Sequence, residues 1–97
     1  MKLTDKNTED LFLTILALEN LEEAKMFFRD LMTENEIKEF SRRWQAARML
    51  DEGKPYLAIQ EETGLSSRTV ARISKWLQSG MDGYKLMLNR MDHHGDS

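Results

Sequence analysis

The 97-residue chain contains no cysteine, one proline and only five glycines, the first of them Gly53. Without cysteine, it cannot be a small domain held together by disulfides. Its longest apolar stretch, Leu11 to Leu18, is interrupted by Thr14 and is far shorter than the roughly 20 residues of a membrane-spanning helix. The N-terminus has no basic region followed by an apolar run, so no export signal is predicted. We therefore expect a cytoplasmic protein with no membrane partner.

The sequence is also poor in residues that carry catalysis. Histidine occurs only at His93 and His94, and no glycine-rich phosphate loop or nucleophile elbow is present. Two adjacent histidines without further histidine or cysteine ligands cannot complete a tetrahedral metal site. We therefore predict that the protein is not an enzyme and has no catalytic residues, cofactor or metal site.

With few helix breakers in the first half, helix caps divide this part of the chain. Thr8 and Asn20 are predicted to begin the first two helices, and Thr33 with Glu36 forms the capping box of a third. Gly53 is predicted to end that helix as a left-handed residue. No segment alternates like a strand and no internal repeat is visible, so the fold class is all-α.

The predicted third helix carries one apolar stripe at helical spacing. Its expected buried positions are Ile37, Phe40, Trp44, Ala47 and Leu50. The two helices before it have wide apolar arcs, which a lone chain of this length would have difficulty burying. The chain must therefore economise on its core or share one.

Residues 55–77 read as a short helix, a glycine turn and a second helix. Pro55 suits the start of the first helix, Gly64 allows a sharp turn, and Leu65 is predicted to insert between the helices before Ser66 caps the second. This is the order of parts in a helix-turn-helix. One position departs from the pattern, because Gln60 stands where a small alanine is usual.

Positive charge is concentrated in two stretches, residues 37–50 and 66–81, although the net charge of the chain is −3. Residues 66–81 contain three basic residues and no acidic one. A recognition helix enters the major groove of DNA with its N-terminus first, so its first turns must be slim and rich in hydrogen-bond donors. The predicted DNA-binding residues are Ser66, Ser67, Arg68, Thr69, Arg72 and Lys75.

Within this set, Ser67, Arg68 and Thr69 are predicted to reach base edges. The other three, Ser66, Arg72 and Lys75, are predicted to contact phosphate. Arg42 or Arg43 is a further candidate for a phosphate contact. The predicted partner is double-stranded DNA.

Six segments between Phe27 and Leu88 occur in a combination specific to one family. They are Leu31 to Thr33, Arg42-Arg43, Leu50 to Gly53, Ile59 to Gly64, Thr69 to Arg72, and Leu77 to Tyr84. In this combination the chain resembles the Trp repressor superfamily, specifically its TrpR-like YerC/YecD branch. The resemblance implies an intertwined helical homodimer with two helix-turn-helix heads, which would recognise a palindromic operator.

Together with the helix caps and apolar patterns, the resemblance gives an organisation for the single domain, residues 1–97. Residues 1–32 would form dimerisation helices and residues 33–53 a central helix. Residues 54–79 would form the helix-turn-helix, residues 80–91 a C-terminal helix that docks on the body of the dimer, and residues 92–97 a flexible tail.

In the classical members of this family, tryptophan binds between two arginines. The resemblance places Thr33, Arg43 and Arg72 at the corresponding positions of a vestigial ligand pocket. Ile73 and Trp76 stand where the classical repressors have glycine and serine, so these larger side chains would occupy the ligand's space. Tryptophan is therefore not an expected effector, and Trp76 itself is a candidate to fill the slot. Another small-molecule effector stays open.

Two functions follow from these observations. The first is a homodimeric transcription regulator that binds DNA through its helix-turn-helix, which the acid-free segment 66–81 favours. The second is a helical protein-interaction module that has lost DNA binding, which the net acidity and Gln60 favour.

Overall fold

The computed structural model describes residues 3–95, with side chains described as far as Asp92. This part of the chain contains six helices and no strand, which confirms the all-α prediction. The helices are α1 (Lys6–Leu16), α2 (Leu21–Leu31), α3 (Glu34–Asp51), α4 (Tyr56–Thr63), α5 (Ser67–Ser79) and α6 (Gly83–Gly95). They form two compact units, one ending at Ile37 and the other beginning at Lys38. None of the helices in the described range has the length and apolar composition needed to cross a membrane.

The first two helices begin at side-chain caps. Asp5, not Thr8, caps α1: its carboxylate accepts a hydrogen bond from the Thr8 backbone N–H at 3.3 Å. The prediction for this helix was wrong by three residues, because Asp5 and Thr8 are both good caps and the earlier one starts the helix. Asn20 caps α2 as predicted, accepting from the Glu23 N–H at 2.9 Å.

Neither α1 nor α2 contains a buried residue. Six of their large apolar side chains are instead exposed: Phe12, Leu13, Leu16, Leu21, Met26 and Leu31. Phe27 and Phe28 are half-buried and meet edge to face, with ring centres 5.6 Å apart. The N-terminal unit thus carries wide apolar arcs with many exposed side chains.

The predicted capping box forms at the start of α3. The Thr33 N–H donates to Glu36 Oε1 at 2.9 Å, and the Glu36 N–H donates to Thr33 Oγ1 at 3.1 Å. The helix ends at Asp51, and Gly53 in the turn that follows has a φ of +80°, the predicted left-handed conformation. The N–H of the next residue, Lys54, then donates to the Met49 carbonyl at 3.0 Å.

The buried face of α3 differs from the predicted stripe. Ala46, Ala47 and Met49 are buried, and Trp44 and Leu50 pack against the core from its edge. Phe40 is 48% exposed and was wrongly assigned to the buried face. The buried positions are therefore confined to the C-terminal half of α3, where α4 and α5 supply the other side of the core.

One small core holds the C-terminal unit together. Its buried side chains are Ala46, Ala47, Met49, Ile59, Leu65, Val70 and Ile73. They come from α3, α4, the turn after α4, and α5. Full burial of a branched aliphatic side chain such as Ile59 contributes about 1.5–3 kcal/mol. Because α4 and α5 share this core, their relative orientation is set by packing.

The connection between α5 and α6 is short and tightly bonded. Gly80 follows α5, and Asp82 adopts a left-handed φ of +67° just before α6 begins. The Lys85 ammonium donates to the Gln78 carbonyl at 3.3 Å and lies 4.0 Å from the Asp82 carboxylate. α6 buries Leu88 and continues to Gly95, which includes four residues that the sequence placed in a tail.

Candidate nucleic-acid interface

The turn between α4 and α5 is built by Thr63, Gly64 and Leu65. Gly64 ends α4 with a φ of +75° and donates its N–H to the Gln60 carbonyl at 2.9 Å. The buried Thr63 hydroxyl donates to the Ile59 carbonyl at 2.7 Å and accepts from the Leu65 N–H at 3.2 Å. Leu65 is 6% exposed and lies in the core, as predicted. This turn lets α5 leave α4 at the angle that their shared core requires.

The first turn of α5 is closed by Ser66. Its hydroxyl oxygen accepts from the Thr69 N–H at 3.2 Å, and its hydroxyl proton is donated to Thr69 Oγ1 at 3.0 Å. The Ser66 oxygen therefore satisfies one of the free amides at the helix N-terminus. The Thr69 hydroxyl accepts from Ser66 and keeps its own proton for donation to another acceptor.

The side chains of α5 divide into a buried and an exposed face. Val70, Ile73 and Ser74 are buried against the unit. Of the six residues predicted to bind DNA, five are exposed and Thr69 is half-buried. The structure thus brings all six onto one helix and its cap.

The positive charge on this face has no ion-pair partner among the residues that the structure describes. Among the described residues, no carboxylate lies within salt-bridge distance of Arg68, Arg72 or Lys75. The charges are therefore available to an anionic partner. Arg72 does have one contact, since its guanidinium carbon lies 5.9 Å from the centre of the Trp76 ring.

The residues of the predicted vestigial ligand pocket make different kinds of contact in the structure. Thr33 caps α3, and Ile73 is completely buried in the core. Arg72 and Trp76 contact each other on the exposed side of α5, and Trp76 is 45% exposed. The contact of Thr33 lies within the N-terminal unit, and the contacts of Ile73, Arg72 and Trp76 lie within the C-terminal unit.

Arg43, the other predicted pocket arginine, has partners on its own helix. Its guanidinium lies 5.4 Å from the centre of the Phe40 ring, and its Nε lies 3.8 Å from a Glu39 carboxylate oxygen. That Nε is buried and has no hydrogen-bond partner among the described residues. The two arginines of the predicted pocket thus have different aromatic partners, Phe40 and Trp76.

An aromatic stack joins α3 to α6 and was not predicted. The rings of Trp44 and Tyr84 are stacked with centres 6.3 Å apart. Burial raises the pKa of the Tyr84 hydroxyl, and the nearby Arg43 charge lowers it by a smaller amount. The pairing escaped sequence reasoning because these residues are forty positions apart and only the tertiary fold brings them together.

A groove of about 230 Å³ lies beside this stack and was also missed. It is lined by Trp44, Arg48, Asp51, Glu52, Leu88, Met91 and Asp92. No cluster of histidine, cysteine and acidic residues in the described part of the chain could hold a metal ion. The side chains of His93 and His94 lie outside the described residues, so the expectation for them is untested.

These observations define an all-helical protein with a helix-turn-helix whose second helix presents three exposed cations, none of them paired with a carboxylate of the described residues. The chain belongs to the Trp repressor family, because the family model described as Trp repressor protein matches residues 6–92. The resemblance stated from the sequence is thereby confirmed.

Relatives match over nearly the whole chain. The YerC protein of Bacillus subtilis (strain 168) is 44% identical over 90 residues, which cover 93% of this chain and 86% of YerC. The crystal structure of a TrpR-like protein from Eubacterium eligens is 42% identical, covers 93% of both chains and superposes with a TM-score of 0.89. A crystal structure from Staphylococcus aureus is 41% identical, covers 95% of both chains and has a TM-score of 0.88.

Proposed function

We propose that this protein is a transcription regulator that binds a specific DNA sequence as a homodimer through α4 and α5. The observation that carries the proposal is the exposed face of α5, where three cations have no carboxylate partner among the described residues. The exposed face of a helix that contacts only water usually carries both acidic and basic side chains. Membership of the Trp repressor family supports the same function. Such a regulator acts in the cytoplasm and needs no catalytic residues.

The position of each side chain gives it a role. Arg68, in the first turn of α5, can donate two hydrogen bonds at once to the O6 and N7 atoms of guanine, and Ser67 and Thr69 lie beside it. Ser66, Arg72 and Lys75 contact the phosphate backbone and fix the register of the helix on DNA. Arg72 suits the phosphate role because it is exposed rather than turned into the core.

The homodimer is supported by the N-terminal unit. Neither α1 nor α2 buries any residue within its own unit, and a second copy provides an identical apolar surface against which their exposed side chains can pack. We expect residues 1–32 to carry this interface. A two-fold dimer would present two copies of α5 to a palindromic operator.

Selection from a random pool of DNA duplexes tests the function directly. We expect the purified protein to enrich a palindromic sequence, and affinity to fall steeply as salt rises because several phosphates are contacted. If no sequence is enriched, with or without cell extract, DNA recognition is wrong for this protein.

Two variants separate base contacts from phosphate contacts on α5. Arg68→Ala should cost about 1–3 kcal/mol of binding free energy and relax preference at one position of each half-site. Lys75→Ala should weaken binding to all sequences alike and lower the slope of log affinity against log salt by about one. Binding isotherms on the selected duplex and a single-base mismatch measure both. Equal loss of preference in the two variants would contradict these roles.

We also propose that free tryptophan is not the effector. In classical repressors, small residues at these two positions leave space for the ligand. Here Ile73 is wholly buried in the core and Trp76 lies beside Arg72, so their larger side chains do not leave that space. Isothermal calorimetry with L-tryptophan should show no binding in the micromolar range. Micromolar affinity would refute this proposal.

A protein-interaction module is the second candidate, and one observation favours it. Leu57 is 72% exposed on α4, and the neighbouring Tyr56 is 44% exposed. An apolar pair on an outer helix suits a protein partner as well as a DNA complex. This function predicts no DNA enrichment and a partner interaction that depends weakly on salt, in contrast to the behaviour expected for DNA.

A further inference from the structure

Arg72 and Trp76 lie one helical turn apart on the exposed side of α5. The guanidinium carbon lies 5.9 Å from the ring centre, within the range of a cation–π contact, and tryptophan makes the strongest contact of this kind. Trp76 is 45% exposed and is not part of the core of its unit. This indole therefore contacts a cation at a site where the core does not require an aromatic side chain.

We propose that Trp76 is a positioning residue for Arg72: the indole face holds the guanidinium on the exposed side of α5, ready to donate to a backbone phosphate. The inference rests on the proposed DNA-binding function and adds a residue to it. Trp76 acts through Arg72 and needs no contact of its own with DNA.

The chemistry of the guanidinium group explains how one contact can leave another open. The group is planar, so an aromatic ring covers its face while its N–H groups point outward from the edges. Those edge donors are the ones that bind phosphate, often two at a time. A free arginine loses much side-chain freedom when it binds, and a side chain that is already held loses less.

The charges on α5 make the Trp76 ring more important for holding the Arg72 guanidinium in place. Arg68 lies one turn before Arg72, and like charges at this spacing repel each other. Residues 66–81 contain no acid, and no carboxylate in the described part of the chain pairs with Arg72. The ring of Trp76 is thus the group against which the structure places the Arg72 guanidinium.

A double-mutant cycle tests the proposal on the duplex that the wild-type protein selects. Trp76→Leu should weaken binding about two- to fivefold, the range of an exposed cation–π contact. Trp76→Phe keeps an aromatic face and should restore most of that loss. In an Arg72→Ala background, Trp76→Leu should have no further effect, because the cation that it positions is gone.

A measurement on the free protein checks the contact itself. The Arg72 side-chain methylene protons should show an upfield ring-current shift in the NMR spectrum that Trp76→Leu removes. Circular dichroism melting confirms that each variant is folded, and the exposure of Trp76 predicts little change in stability.

Each outcome has a definite meaning. Equal losses from Trp76→Leu in both backgrounds would show that Trp76 acts on DNA or on the fold without Arg72, and would overturn the proposal. Wild-type affinity in Trp76→Leu, alongside weakened binding in Arg72→Ala, would overturn the positioning role alone. Failure of the wild-type protein to bind any duplex would overturn the proposed function and this inference with it.

Discussion

At the scale of single residues, Gly80 is required by a backbone contact. Its φ of −84° is open to any residue, but a Cβ atom there would lie 2.5 Å from the Trp76 carbonyl oxygen. The same oxygen accepts the Gly80 N–H at 2.8 Å, so the close approach belongs to the end of α5. Gly83, three residues later, has no atom within 4 Å of its Cβ position.

These two glycines form a matched pair for a stability test. Gly80→Ala should lower the free energy of unfolding by about 1–3 kcal/mol, because backbone atoms must move to accommodate the methyl group. Gly83→Ala should leave stability unchanged or raise it by about 0.4–1 kcal/mol through a less flexible unfolded chain. Urea denaturation followed by circular dichroism measures both. Equal effects of the two substitutions would contradict the contact at Gly80.

At the scale of helices, the start of α3 carries a protonation-sensitive bond. The pKa of Glu36 is lowered from its ordinary value of 4.5, first by the hydrogen bond from the Thr33 N–H and then by the Thr33 hydroxyl. Because the folded pKa is the lower one, this carboxylate adds stability above pH 4.5. The contribution is lost as the pH falls through the folded pKa.

The pH dependence of the capping box can be measured with one variant. Glu36→Gln keeps an acceptor for the Thr33 N–H but does not titrate, so its thermal midpoint should fall less than that of the wild-type protein between pH 6 and about pH 3. An NMR titration of the Glu36 carboxyl carbon gives the pKa directly. A value at or above 4.5 would rule out the stabilising bond in solution.

At the scale of the whole molecule, the two units differ in how far their apolar side chains are buried. The C-terminal unit buries them in a core formed by α3, α4 and α5. The N-terminal helices expose them, most strongly at Leu16, which is 79% exposed. A protein of this size has little apolar surface to spare, so this exposed face is where the proposed dimer interface is best tested.

Two leucines of similar exposure separate the proposed dimer interface from the rest of the surface. Leu16→Glu should weaken dimerisation at least about 100-fold, because it would bury an unpaired charge in the interface. Leu57→Glu on α4 should leave the dimer intact. Light scattering should give a mass near 11.4 kDa for the first variant and about twice that for wild type and the second. A monomeric wild type, or a dimeric Leu16→Glu protein, would refute the proposed interface.

Much of the local structure could be predicted because its causes are local. The caps at Asn20 and Thr33 and the left-handed turn at Gly53 each depend on residues within a few positions of one another. Gly64 and Ser66 frame the turn before α5 for the same reason. The segment that carries the candidate DNA interface was therefore found, with its six residues on one helix and its cap.

By itself, the sequence determined the helical class, the helix-turn-helix and the charge of α5, because composition, spacing and caps act over short distances. Only the tertiary structure decided which side of α3 is buried, that Phe40 is exposed, and that Trp44 stacks on Tyr84. Burial and ring stacking depend on which helices meet and at what angle. That information is a property of the packed core, shared among residues far apart in the chain.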